Sequence, residues 1–140
     1  MKHVFALLAF LLFVGVAAPS VYAQEETAQT QIAEGQEYKQ AFNDARAALQ
    51  EKKYQDAYDG FKAALDGAVA AEDADVEALA RGILAKLDYT FGTAKVRKDD
   101  YAGAIVDYRA GTVNNPEFPN NYLGLGSALR KLDSTDVAMK

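Results

Sequence analysis

The feature that most constrains this chain is an echo at 34 residues. Gly92 recurs as Gly126, Phe91 as Leu125, and Ala104 as Ala138. Leu129 falls where Lys95 stood one period earlier. Thirty-four residues is the length of a helix–turn–helix unit whose stacked copies share one core, because a single pair of helices cannot bury its own apolar face. A chain built that way is expected to be all-α and to present a surface to another protein.

Helical periodicity fills the rest of the frame. Phe42, Ala45 and Leu49 fall on one face of a first segment. Tyr54, Ala57, Tyr58, Phe61, Ala64 and Leu65 form a second stripe at steps of three and four. Gly67 to Asp75 is small and acidic and is expected to hold the next break, with Asp75 as N-cap. Val76, Leu79, Ile83, Leu87, Phe91 and Ala94 then predict one long apolar face. Tyr101, Ala104, Ile105, Tyr108 and Val113 make a fourth stripe, ended by Asn114-Asn115-Pro116. A fifth helix opens at Pro119 or Asn120, with Tyr122, Leu125, Leu129 and Leu132 inward, and stops at a turn over Asp133–Asp136. No strict alternation suggests a sheet.

The chain's beginning reads as an address. Lys2 and His3 precede an apolar run from Val4 to Ala18, Pro19 breaks it, and Val21-Tyr22-Ala23 offers small residues for a signal peptidase. Fifteen helical residues span about 22 Å, short of a roughly 30 Å hydrocarbon core. Residues 1–23 are therefore expected to be a cleaved signal peptide, leaving no membrane insertion. Residues 24–36 are expected to be a polar, flexible leader, and residues 37–140 a helical repeat domain. Its units would cover about 38–71, 75–118 and an incomplete 119–140. The expected location is outside the cytoplasm, in a bacterial periplasm.

Absent residue types exclude whole chemistries. There is no Cys, and the one His is His3, inside the segment to be removed. Thiolate nucleophiles, Ser–His triads, disulfides and His- or Cys-ligated zinc and haem are out of reach of the remainder. Without Lys2, 14 basic side chains face 20 acidic ones, a net charge of -6, with no basic cluster longer than a pair. That balance does not suit nucleic acid, whose phosphates demand concentrated positive charge. Asp73, Asp75 and Glu77 alternate like part of a calcium loop but lack its glycine and terminal Glu. Gly124-x-Gly126 lies in a helical segment with no preceding strand, which does not suit a phosphate loop. No enzyme, cofactor or metal is expected.

At this point the residues resemble the tetratricopeptide repeat family. Its pattern has an aromatic, Leu-Gly and Tyr in the first helix of each unit, Ala and an aromatic four apart in the second, and a closing Pro. Here Tyr122-x2-Leu125-Gly126-x2-Leu129 carries the third unit. Phe91-Gly92, Tyr101, Ala104-x3-Tyr108 and Pro116 carry the second. Tyr54 and Ala57-x3-Phe61 carry the first, with Asp44-Ala45 at its Leu-Gly place. One departure is that Ala57 to Ala104 is 47 residues, so the extra 13 should lengthen the helices around Gly67–Leu79.

The resemblance implies a docking function. The first helix of each unit would line a concave groove, placing there Asn43 and Arg46, then Tyr89, Thr93 and Arg97, then Leu123, Ser127 and Arg130. Three arginines on one wall would suit an acidic or carboxylate-bearing peptide. The family's carboxylate clamp for chaperone tails would fall on Phe42, Arg46, Thr90, Asn120 and Gly124, where only Asn120 loosely suits it. The third unit has almost no second helix, which leaves two readings open. It is a polar cap with Arg130 and Lys131 outward, or the chain is part of a longer repeat protein whose functional domain lies elsewhere. An apolar end would also permit self-association into a homo-oligomer.

Overall fold

A computed structural model describes residues 36–138, and the side chains of 36–134. The expected signal peptide and nearly all of the expected leader lie outside the described residues. Among the described residues the regular structure is entirely helical. It comprises α1 (Glu37–Gln50), α2 (Tyr54–Ala70), α3 (Ala74–Val96), α4 (Tyr101–Asn114) and α5 (Pro119–Ala138).

Consecutive helices pack as antiparallel hairpins, as short connections require. The register is visible in the contacts, since the number falls on one helix as it rises on the other. Tyr38 lies against Gly67 and Ala45 against Gly60. Asp88 meets Asn114, and Lys95 meets Asp107. Gly111 meets Asn121, and Tyr108 meets Gly124.

The first three connections use one turn chemistry. Lys52, Glu72 and Asp99 each take a left-handed backbone, with φ of 61°, 55° and 60°. The N–H of the following residue reaches back five positions, from Lys53 to Ala48, Asp73 to Ala68 and Asp100 to Lys95. This satisfies carbonyls that a helix end would otherwise leave bare. Two of the following residues then cap the next helix. Asp73 accepts from the Val76 N–H at 3.1 Å, and Asp100 from the Gly103 N–H at 2.8 Å.

These turns move one expected boundary. The N-cap of α3 is Asp73, not Asp75. The break does fall within Gly67–Asp75, and Gly67 itself lies inside α2, where the side chain of Tyr38 leaves no room for a Cβ. The expected lengthening does appear as helix: α2 has 17 residues and α3 has 23, against 14 each for α1 and α4.

Two apolar clusters sit along the molecule. Ala45, Ala57, Phe61, Leu65, Ala80, Leu84 and Leu87 join α1, α2 and α3, with Phe42 edge-on to Phe61 at 5.2 Å. Ala104, Ile105, Tyr108 and Ala128 join α4 and α5, with Tyr89 and Val96 of α3 packed against them. The buried face of α3 is rotated from expectation. Ala80, Leu84, Ala85 and Leu87 are inside, whereas Leu79 is largely exposed. Small residues on that face let neighbouring helices approach, which brings it inward in preference to the bulkier Leu79.

The last helix differs most. The expected stop at Asp133–Asp136 is absent, and α5 runs on to Ala138. Ser134 Oγ donates to the Arg130 carbonyl at 2.7 Å, a bond within the helix and not a cap. The inward face is Asn121 and Ala128, both buried, with Gly124, Leu125 and Leu132 half-buried. Tyr122 is 49% exposed and Leu129 37%, and little lies near Gly126. That face has no packing partner among the described residues.

Candidate functional site

Two sets of residues lie on opposite sides of α3. Tyr89, Thr93 and Arg97 recur every four residues on one side. Asp88, Phe91, Lys95 and Lys98 recur at steps of three and four on the other.

The groove residues expected from the sequence lie on α1, α3 and α5. Asn43 and Arg46 on α1, Arg97 at the C-cap of α3, and Ser127 and Arg130 on α5 are all exposed. None of the three arginines has an ion-pair partner among the described residues. Leu123 is exposed as well. Tyr89 and Thr93 are half-buried and serve packing. Tyr89 lies 5.8 Å from the Tyr108 ring and 6.1 Å from Phe118, and Thr93 Oγ1 is 3.2 Å from the Tyr108 hydroxyl.

The residues expected to pack the repeats divide similarly. Ala57, Phe61, Ala104 and Tyr108 are buried. Gly92 is buried against Tyr108, where a Cβ would lie 2.7 Å from Cε1. Gly124 presses on the same ring atoms, where a Cβ would lie 2.5 Å from Cε1. Leu125 is half-buried, Pro116 is exposed in the α4–α5 connection, and Tyr122 and Gly126 stand on the uncovered face.

The second side holds an open cleft of about 430 Å³. Its floor is α3 and its walls are α2 and α4, which both pack on α3 but hardly on each other. Tyr58 and Phe91 line it as aromatics with ring centroids 5.6 Å apart, and Ala94, Val106 and Ala110 line it as aliphatics.

Its polar groups were not anticipated. Asp88 is 2% exposed, and its Oδ2 accepts from Asn114 Nδ2 at 2.7 Å. Burial raises the Asp88 carboxyl above the ordinary carboxylate value, while hydrogen bonds from Asn114 and Tyr58 oppose the rise. Burial, with Asp88 beside it, pushes the Tyr58 hydroxyl up to about 12, so it stays a proton donor at neutral pH. Lys95 Nζ donates to Asp107 Oδ1 at 2.8 Å. Asp107 Oδ2 is buried and has no hydrogen-bond partner among the described residues. The sequence signal for this cluster was a charged residue, Asp88, standing four after Leu84 and three before Phe91 on an apolar face.

A second unanticipated residue is Asn121. It is fully buried, and its Nδ2 donates to the Ala85 carbonyl at 2.9 Å. The absence of a side chain at Gly111 makes the space for it. This links α5 to α3 directly and fixes the rotation of α5.

Among the described residues no group of three carboxylates converges where it could hold a metal ion. No described helix is long and apolar enough to cross a membrane. Compared with known proteins, the chain matches no family, no curated protein and no solved structure.

Proposed function

We propose that this chain is an exported binding scaffold of the tetratricopeptide type, which holds a protein or peptide partner in a groove and performs no catalysis. Its signal peptide would deliver it to the periplasm. The observation that carries this reading is the repeated hairpin. The same left-handed turn precedes Tyr54-x2-Ala57-x3-Phe61 and Tyr101-x2-Ala104-x3-Tyr108, and in each case the alanine and the aromatic are buried against the preceding helix. A stack of such hairpins holds its outward side chains rigid, so a partner meets a preformed surface.

The exposed, unpaired Arg46, Arg97 and Arg130 suit an acidic or carboxylate-bearing segment. Their joint replacement by alanine, in a chain that still melts cooperatively, tests this. The proposal expects a loss of affinity of at least tenfold for a partner captured by the unaltered protein. Unchanged affinity would refute the groove assignment.

A second reading is favoured by the α5 face. Tyr122, Leu123 and Leu129 together expose apolar surface beside Gly126. Burial of that face against another copy would make the chain a self-associating module. Sedimentation equilibrium decides this, and a mass that stays monomeric across the concentration range would end it.

A further inference from the structure

The uncovered face of α5 has a residue order that is its own complement. Successive residues stand about 100° apart around a helix axis, so Leu129, Tyr122, Asp133, Gly126, Arg130 and Leu123 fall within an arc of about 120°. All but Gly126 are exposed, and at Gly126 the nearest heavy atom to a Cβ would be Arg130 Nη1 at 3.9 Å. The opposite side of the helix, at Asn121 and Ala128, is already buried. An arc this wide with three large apolar side chains is the size of a packing face.

A second α5 laid antiparallel across this one, glycine on glycine, meets it favourably at every position of the arc. Leu129 falls on Leu123, Arg130 on Tyr122 and Asp133 on Pro119, each pair twice. Leucine covers leucine. The guanidinium lies over an aromatic ring, the cation–π pairing that arginine favours. The carboxylate meets the first turn of the other helix, where outward N–H groups favour negative charge. Gly126 carries no side chain at the crossing, so the two backbones can approach closely. A parallel pair would instead set Arg130 on Arg130 and Asp133 on Asp133, like charge on like. The exposed face of α1 offers α5 no comparable match, since Asn43, Arg46 and Gln50 stand there and would be buried at a desolvation cost.

We infer that α5 is an interface with a second copy of this chain, a two-fold antiparallel contact that crosses at Gly126. Leu123 packs on Leu129 of the second copy, and Tyr122 on its Arg130. This deepens the self-association reading and rests on it. A single pair of helices buries less than about 1,200 Å², the size of weak and transient contacts, so the chain pairs when concentrated and is single when dilute. Arg130 also stands among the groove arginines, so an acidic partner and a second copy compete for it.

The chain has no cysteine, which lets single introduced thiols report the register. The test takes the protein as the cell produces it, follows its mass by sedimentation equilibrium up to about 1 mM, and crosslinks thiol variants with a short bismaleimide. The inference expects monomer and dimer with no larger species. Gly126→Cys should link to itself. Tyr122→Cys should link to Arg130→Cys on mixing at least about fivefold faster than to itself, because like positions lie about 12 Å apart along the axis. Leu123→Glu, at a side chain 72% exposed, should weaken the dimer about tenfold or more and leave the melt of the dilute chain unchanged. Growth beyond a dimer, equal self-linking of Tyr122→Cys, or indifference to Leu123→Glu would each overturn this contact while leaving self-association standing. A mass that stays monomeric to about 1 mM would overturn both.

Discussion

Gly92 and Gly126 occupy the same place in the 34-residue echo but meet different surroundings, and substituting each by alanine measures the difference. At Gly126 the nearest heavy atom to a new Cβ is Arg130 Nη1 at 3.9 Å, so only intrinsic propensity acts. Gly→Ala in an open helix interior gains about 1 kcal/mol. At Gly92 the same gain applies, but Cε1, Cδ1 and Cζ of Tyr108 would lie 2.7 to 2.9 Å from the Cβ. Gly124 of α5 packs on the same ring atoms, and Thr93 holds the hydroxyl, so the ring cannot retreat. Overpacking of this kind costs about 3 kcal/mol at the upper end of the usual range. Gly92→Ala should therefore destabilise by about 2 kcal/mol where Gly126→Ala stabilises by about 1. Urea unfolding followed by circular dichroism reads both. In a Tyr108→Leu background the penalty at Gly92 should vanish and leave the gain of about 1 kcal/mol, a coupling of about 3. If Gly92→Ala stabilised as much as Gly126→Ala, or cost the same with Leu at 108, the packing described for α3, α4 and α5 would be wrong.

Other expectations follow from the turns and the buried polar groups. Lys52→Gly and Glu72→Gly should each stabilise by about 0.5–1 kcal/mol, since both positions have positive φ, and thermal melts would show a gain for each. Asn121→Asp places a carboxylate beside the Ala85 carbonyl, and burial should raise its pKa by about two units or more, a loss near 3 kcal/mol at pH 7. That loss should be recovered as pH falls below the raised value, because the neutral acid can donate to Ala85. Asp88 should act in the same sense: with its folded pKa raised, the native state holds the extra proton, and stability declines as pH rises from the ordinary carboxylate range through the raised value. Asp88→Asn should flatten that decline in melts across pH. Asp73 acts oppositely. The Val76 N–H and then Tyr38 lower its pKa, so its contribution is present above the unfolded value and lost as pH falls through the folded one. Asp73→Asn should remove that acid-side loss.

Much of the fold was legible because it rests on local signals. The apolar stripes of α1, α2 and α4, apart from Tyr54 and Val113, which are exposed, and the stop at Asn114–Pro116 are all patterns within one helix or one turn. The 47-residue spacing showed where the helices lengthen. What could not be read is how each helix rotates about its axis once neighbours compete for its faces. On α3, small residues displaced Leu79 from the core. On α5, Asn121 and Gly124 went inward although the repeat pattern favoured Tyr122 and Gly126, because α4 and α3 are the neighbours present. The cleft was illegible for a related reason: Tyr58, Asp88 and Asp107 come from three helices, and no sequence spacing brings them together. The left-handed turns were hidden because Lys, Glu and Asp stand where glycine would have marked them.

The central claim is that partners dock on the side of the stack bearing Arg46, Arg97 and Arg130. A photo-reactive residue placed at each of these positions in turn, with exposed Asp59 and Lys62 of α2 as controls, tests it in the producing cell. The account predicts one shared adduct from the three arginine positions and none from the two on α2. An adduct confined to the α2 positions, or none from any arginine position, would contradict it.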